Sequence, residues 1–251
     1  MKENIIKFLY PRGSFKLFED NFPIPAKLNI PTWFKNLKTQ KEYATIKSCI
    51  PFLDSLTAGY ILKMPQDFYI KHNFKNKDNK LDSSYRFAIN DIMQHQLSGY
   101  DLNLNTSQSK DIHAVAQLGS ECPFHKKNQN HPFYKILNPF VIKTPPGYSC
   151  LFTAPLNNRD DRFETISGIV DTDIYDNHIN FPIILNGDKY PSLETTIERG
   201  TPYVQIIPFK RNDWKIVVEE RQSPIFLERV NIFRKLWNNY KTFFWKKKKW
   251  N

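Results

Sequence analysis

The sequence predicts a mainly β fold of short strands, and three observations support this prediction. Between Phe140 and Phe209 the chain contains six apolar runs of strand length, separated by turn-forming residues. Its 251 residues include 17 prolines but only 8 glycines, a balance typical of short strands joined by proline-containing turns. Aromatic residues make up 15% of the chain, which is enough to build a sizeable core. We therefore expect a sandwich, barrel or clip with few long helices.

The first elements are an arm and two strands. Residues 1–45 contain four prolines and the pair Trp33-Phe34. We expect an extended arm packed on the core, because free linkers rarely carry so many large apolar groups. Residues 57–70 predict two short strands separated by a turn at Pro65-Gln66-Asp67. A polar surface loop is expected at residues 71–84. The six later strands are predicted at Val141–Lys143, Tyr148–Ala154, Ile166–Val170, Ile179–Leu185, Glu194–Ile197 and Tyr203–Phe209.

The C-terminal segment changes its hydrophobic period. Apolar residues recur three or four positions apart from Phe226 to Phe244, which predicts an amphipathic helix beginning after Ser223-Pro224. The chain thus divides into one β-rich domain, residues 1–224, and a basic aromatic helix or tail, residues 225–251. Most of the net charge of +11 belongs to that last segment, where eight Lys or Arg accompany one Glu. Residues 245–251, with four adjacent lysines, either pack on the core or bind phosphate on nucleic acid or an anionic surface.

The cysteine content and the start of the chain indicate a compartment. Cys49, Cys122 and Cys150 are odd in number and widely spaced, so a reducing environment is expected rather than a disulfide framework. The opening residues lead into no apolar stretch long enough for a signal peptide or a transmembrane segment. We expect a cytoplasmic protein, or a virion-associated one if it is encoded by a phage.

Residues 168–175, Gly-Ile-Val-Asp-Thr-Asp-Ile-Tyr, contain the most informative cluster of polar groups. Asp171, Asp173 and Tyr175 are spaced by two, so an extended backbone would place all three side chains on one face. The alternative is a solvent-facing turn between two strands, where Asp is common because its side chain bonds nearby backbone.

This segment resembles the third conserved motif of the dUTPase and dCTP deaminase superfamily, usually Gly-Val-Ile-Asp-x-Asp-Tyr-x-Gly. The resemblance implies a β-clip fold, with a jelly-roll-like sandwich as the alternative. It also implies that Asp171 is the catalytic base that activates water, and that Tyr175 packs beneath the deoxyribose. Asp173 is a further candidate for substrate binding. This chain has one residue inserted before Tyr175 and lacks the following Gly.

Two neighbouring segments extend the resemblance over roughly residues 140–210. Thr144–Thr153 resembles the Pro-Gly strand that precedes the family's phosphate-binding motif. Arg199–Ile207 is similar to the family's Gly-Asp-Arg-Ile-Ala-Gln-Leu-Ile strand, which gives Gln205 the place of a phosphate-contacting Gln. The alternatives for Gln205 are an outward strand position or a buried amide that satisfies backbone groups.

Upstream, the family's Ala-Gly-Tyr-Asp-Leu motif has two matches, Thr57–Ile61 and Ser98–Leu102. Two other family motifs are missing: no Arg-Ser-Ser sequence lies between the strands of the 140–210 region, and no Gly-rich motif ends the chain. In place of the first motif stand Arg159 and Arg162, which are candidates to clamp a phosphate bidentately.

The resemblance implies a dUTPase-like nucleotide-binding protein, a Mg²⁺-assisted deoxynucleoside triphosphate phosphohydrolase that forms a homotrimer. The alternative is a non-catalytic structural or binding protein on the same scaffold. It would be phage-encoded, because the overall pattern also resembles proteins of phages and bacteria. A metal site held by the protein alone is not predicted. The residues His113, Cys122, His125 and His131 match no standard zinc spacing, and the His-x-Asp or His-x-Glu pair of an iron oxygenase is absent.

Overall fold

The computed structural model describes residues 4–38, 45–73, 83–87, 112–113, 115–128, 133–220 and 240–251. Its strands are β1 (Lys7–Leu9), β2 (Ile24–Pro25), β3 (Tyr60–Lys63), β4 (Phe68–Asn73), β5 (Ser83–Phe87), β6 (Ile112–His113), β7 (Phe133–Ile136), β8 (Val141–Lys143), β9 (Tyr148–Thr153), β10 (Phe163–Thr165), β11 (Gly168–Val170), β12 (Phe181–Leu185), β13 (Ser192–Ile197) and β14 (Pro202–Lys210).

The helices of the described residues are short. They are α1 (Phe15–Phe18), α2 (Thr32–Asn36), α3 (Ile50–Thr57) and α4 (Pro123–Lys127), with 3-10 turns at Glu19–Asn21, Ala26–Leu28, Ile46–Ser48 and Val115–Gln117 and a π-helical turn at Tyr240–Phe244. The mainly β prediction is confirmed. Within the described ranges, no helix has the length and apolar character needed to cross a bilayer.

The described strands form four antiparallel sheets. Their strand orders are β1-β8, β10-β12-β7-β6, β11-β9-β14-β3-β2 and β13-β4-β5. In the five-stranded sheet, β14 lies at the centre between β9 and β3. Residues 203–206 of β14 are all buried, so both faces of this strand are covered at its beginning. Towards its end the strand becomes exposed.

Aromatic side chains join the two largest sheets. The ring of Phe181 on β12 lies 5.4 Å from that of Phe152 on β9 and 5.7 Å from that of Tyr203 on β14. These tilted and edge-to-face contacts are the geometries that aromatic pairs favour. Thr165 on β10 adds a hydrogen bond from its hydroxyl to the Tyr203 carbonyl, at 2.7 Å. The core therefore lies between the four-stranded and five-stranded sheets.

The N-terminal arm contributes to this core, although it is not extended throughout. It contains β1, α1, β2 and α2, with β1 paired to β8 and β2 paired to β3. Phe18 is buried within the core cluster, and Ile6, Phe8 and Phe22 pack against it. Proline residues interrupt these elements, which keeps each of them short.

The predicted strands agree with the observed ones apart from their ends. The strand expected at 166–170 begins only at Gly168, because the Ile166 amide donates instead to the Pro182 carbonyl. The predicted loop at 71–84 is wrong at both ends, since residues 71–73 continue β4 in register with β13 and Ser83 and Ser84 begin β5. Residues 74–82 of that loop lie outside the described residues. Of the predicted C-terminal helix, residues 225–239 lie outside the described residues, as does the second motif match at Ser98–Leu102.

The structure explains why the first motif match, Thr57–Ile61, contains a glycine at position 59. Its φ is +66°, and a Cβ at this position would lie 1.9 Å from the Ile206 carbonyl oxygen. Only glycine allows the turn between α3 and β3 to pass so close to the central strand.

Candidate functional site

The site is formed where three strands of the five-stranded sheet come together. Strands β11 and β14 both pair antiparallel with β9, so both end where β9 begins. Asp171 follows β11, Arg211 follows β14, and Ser149 lies at the start of β9. We call Asp171, Asp173, Arg211, Ser149 and the Gly147 amide the carboxylate cluster.

The segment that carries the two aspartates is a turn. The Asp171 carbonyl accepts hydrogen bonds from the amides of Ile174, at 3.2 Å, and Tyr175, at 2.9 Å. An extended backbone, under which Tyr175 would share a face with both aspartates, is therefore not observed. Both carboxylates still reach Arg211. Tyr175 is exposed, and its phenol donates to the His178 carbonyl at 3.5 Å.

Three hydrogen bonds hold the Asp173 carboxylate in place. The Arg211 guanidinium binds it with two nitrogens, at 2.9 and 2.5 Å, and the Gly147 amide donates to it at 2.8 Å. Only 5% of its side chain is exposed. Bidentate charge-assisted bonds of this kind are among the strongest in proteins. The Arg211 hydrogen bonds, followed by the Gly147 amide, hold the pKa of Asp173 far below its usual range, and the bonds to Asp173 raise the pKa of Arg211.

Asp171 is oriented in a different way. Its Oδ1 accepts a hydrogen bond of 2.6 Å from the Ser149 hydroxyl and lies 3.2 Å from a nitrogen of Arg211. Its Oδ2 has no hydrogen-bond partner among the described residues, and the side chain is 51% exposed. A carboxylate fixed through one oxygen and open at the other can accept a proton from a water molecule.

Thr172, which lies between the two aspartates, fixes the turn through two contacts with neighbouring side chains. Thr172 is buried, and its hydroxyl lies 2.7 Å from that of Thr144 and donates to the Cys150 sulfur at 3.3 Å. Burial raises the pKa of the Cys150 thiol to about 11. Because the thiolate is the reactive form, Cys150 is a structural residue rather than a nucleophile.

Gln205 lies at the other end of the sheet, opposite Thr153. It is only 1% exposed, and its amide bonds three backbone groups. Its Oε1 accepts from the Leu156 amide at 2.8 Å, and its Nε2 donates to the carbonyls of Ser55 and Ala58 at 2.9 and 2.6 Å. This arrangement is the buried-amide alternative named above, and it leaves Gln205 no donor for a phosphate.

The two candidate arginines also lie away from the carboxylate cluster, since both follow the C-terminal end of β9. Arg162 binds Asp160 with its Nε and Nη2, and its Nη1 donates to the Thr195 hydroxyl and the Thr196 carbonyl. Arg159 is exposed and pairs with Glu164 at 3.3 Å. The structure therefore does not bring Arg159 or Arg162 together with Asp171.

Arg211 is the functional residue that sequence reasoning missed. It stands directly after β14, just as Asp171 stands directly after β11. This position was the available signal, because strands that share a neighbour and a direction end at the same edge. The strand order that makes them neighbours is visible only in the structure.

The described residues contain no group of three or more His, Cys, Asp or Glu that could hold a metal ion. Mg²⁺ usually binds proteins through one or two carboxylates and takes its remaining ligands from substrate phosphates and water. Asp171, with its open Oδ2, fits that limited role.

The C-terminal tail, residues 245–251, docks on the domain. Asp54 of α3 accepts hydrogen bonds from the Trp245 indole, at 3.0 and 3.1 Å, and from Lys248, at 2.5 Å. The Trp250 ring contacts the Tyr60 ring edge-to-face, with centroids 6.2 Å apart. The remaining lysines of the tail, Lys246, Lys247 and Lys249, are exposed.

Comparison with protein-family models gives no match, and comparison with curated proteins gives no significant match. The similarity to the dUTPase superfamily therefore rests on the motifs alone.

Proposed function

We propose that this chain is a dUTPase-like protein that binds a deoxynucleotide at the carboxylate cluster and uses Asp171 as a general base. The main support is the state of Asp171, which is oriented by Ser149 and Arg211 through one oxygen and open at the other. A positioned carboxylate beside solvent is what the activation of an attacking water requires.

In the proposed reaction, Asp171 Oδ2 takes a proton from water while the water oxygen attacks a phosphorus atom of the triphosphate. The bond from phosphorus to the bridging oxygen breaks, and the leaving phosphate keeps the electron pair. Ser149 and Arg211 are positioning residues, since they hold the carboxylate. When bound with the substrate, Mg²⁺ would spread the negative charge of the phosphates. Asp171 is the residue that would help to hold it.

One further group near the cluster fits a nucleotide. Tyr175 follows the two aspartates and is 42% exposed, so its ring can pack against a sugar. Arg211 itself already binds Asp173 with both of its terminal nitrogens.

The proposal is tested by a thermal-shift screen of the purified chain against dUTP and the four common dNTPs, with and without Mg²⁺. A ligand that binds only the native state raises the melting temperature. We expect a shift with one pyrimidine nucleotide and turnover that Asp171→Asn abolishes while nucleotide binding remains. The matched control is Asp188→Asn, at an exposed carboxylate on the β12–β13 connection. The proposal fails if no nucleotide shifts the melting temperature.

A second candidate is a non-catalytic binding or structural protein on the same scaffold. One observation favours it: Gln205, Arg159 and Arg162, the residues expected to hold phosphate, are engaged elsewhere. In that case nucleotides either do not bind or bind without turnover, and Asp171→Asn changes only local stability. The homotrimer implied by the resemblance is tested by measuring molar mass in solution.

The tail provides a separate proposal for phosphate binding. We propose that Lys246, Lys247 and Lys249 contact nucleic acid or another anionic surface, because they are exposed while Trp245 and Lys248 fix the tail on the domain. Replacing the three lysines with Ala should weaken binding of a single-stranded oligonucleotide and reduce its salt dependence. Unchanged binding would contradict this role.

A further inference from the structure

Residues 212–220, which we call the exposed arm, leave the end of β14 without forming a helix or strand. Trp214, Ile216 and Val218 are 90%, 86% and 90% exposed, so these side chains contact almost nothing among the described residues. They stand at alternate positions, which places them on one face of an extended segment. An apolar stripe of this kind usually marks an interaction site.

The same chain presents a partly exposed apolar sheet face. Ile169 on β11, Leu151 on β9 and Ile207 on β14 lie opposite one another across three strands, and so they share a face. Ile169 is 64% exposed, Leu151 and Ile207 are half-buried, and Phe209 lies exposed two residues further along β14. Among the described residues, helix α3 contacts this face at the Gln205 end.

Among the described strands, β11 forms one edge of the five-stranded sheet, so one of its sides pairs with no described strand. Its residues Gly168 and Ile169 are exposed. An exposed edge is a ready partner for another extended segment, since its outward amides and carbonyls can continue the ladder of hydrogen bonds.

We propose that the exposed arm of one copy of this chain adds as a strand to the β11 edge of a second copy. The backbone of the arm would extend the sheet, and Trp214, Ile216 and Val218 would continue the apolar row that ends at Ile169. This inference does not depend on nucleotide binding or hydrolysis.

Two observations favour a second copy as the partner. First, Arg211 anchors the start of the arm on Asp173, and β14 runs in the same direction as β11, so the arm leaves the sheet beyond the end of its own β11. Second, the arm and the apolar sheet face belong to the same chain, so two copies supply both halves of the contact without a further partner. The arm carries Asp213, Glu219 and Glu220 against Lys215, and this net negative charge disfavours nucleic acid as its partner.

The first test is the molar mass of the full chain, measured by light scattering over roughly 1–100 µM protein, the range in which a modest interface begins to form. We expect association that the triple variant Trp214→Ser, Ile216→Ser, Val218→Ser abolishes. Because these side chains are 86–90% exposed, the melting temperature of the monomer should not change. The matched control is Lys215→Ser with Val217→Ser, on the opposite face of the arm, which should still associate. A monomeric wild type, or a triple variant that associates like the wild type, would overturn the proposal.

The second test locates the partner site by cross-linking between two differently labelled variants. In a background that carries Cys49→Ser and Cys122→Ser and leaves only the buried Cys150, an Ile169→Cys variant is mixed with an Ile216→Cys variant and treated with a short bismaleimide. We expect a covalent dimer that contains both labels, since this product forms only between two copies. If the wild type associates but the mixed product is absent, the β11 edge is the wrong site.

Discussion

Replacing Gln205 with Leu should destabilise the fold, because its side chain is part of the internal framework. The amide joins α3 and the segment after β9 to the central strand through three hydrogen bonds to backbone groups. Leu has a similar size but no polar atoms, so the Leu156 amide and the carbonyls of Ser55 and Ala58 would lose this partner.

The expected loss follows from these three groups. A buried polar group left without a partner costs about 1–3 kcal/mol, and burial of the more apolar Leu offsets a part of this. Three such groups would cost about 3–9 kcal/mol, but their hydrogen bonds are only partly buried, so we expect the free energy of unfolding to fall by an amount near the low end, about 2–4 kcal/mol. Urea denaturation at neutral pH, followed by circular dichroism, measures this change. The matched control is Gln66→Leu in the turn between β3 and β4, which should change the free energy by less than about 0.5 kcal/mol.

The result also separates the two interpretations of Gln205. If Gln205→Leu left the stability unchanged within about 0.5 kcal/mol, the argument from burial and hydrogen bonding would be refuted. A variant of normal stability with weakened nucleotide binding would instead support the phosphate contact that the family resemblance implies.

Three further predictions concern other parts of the molecule. Gly59→Ala should cost about 2–5 kcal/mol, because it combines a positive φ with a clash against the Ile206 carbonyl; a urea midpoint equal to that of the wild type would contradict this. Arg211→Met should reduce acid sensitivity. The depressed pKa of Asp173 means that the ion pair stabilises the fold above the usual carboxyl pKa of about 4 and is lost as pH falls towards the folded-state value. Unfolding curves at neutral and acidic pH should therefore differ less in this variant than in the wild type, and an equal difference would argue against the clamp. Asp54→Ala should release the tail, so that trypsin removes it faster while the free energy of unfolding changes by less than about 1 kcal/mol; unchanged cleavage would show that the other tail contacts suffice.

Local sequence patterns predicted the strands well where a run of apolar residues had clear boundaries. Strand β8 was predicted with its observed ends, and β9 and β14 within one residue at each end. The short strands β7 and β10 were not predicted, because β7 lies in a polar region without periodicity and β10 in a segment rich in Arg and Asp. Their strand conformation depends on pairing with β12, a partner distant in sequence.

The candidate site shows the same division. The sequence alone identified Asp171 and Asp173, since two carboxylates directly after an apolar run are a local feature. It could not identify Arg211 as their partner, because Asp173 and Arg211 are 38 positions apart in sequence and only the order of strands in the sheet brings them together. Nor could it separate Gln205, Arg159 and Arg162 from Asp171, although all lie in the same region of sequence. Local periodicity determines which segments become strands, whereas the pairing of strands decides which ends meet, and that pairing depends on contacts between distant residues.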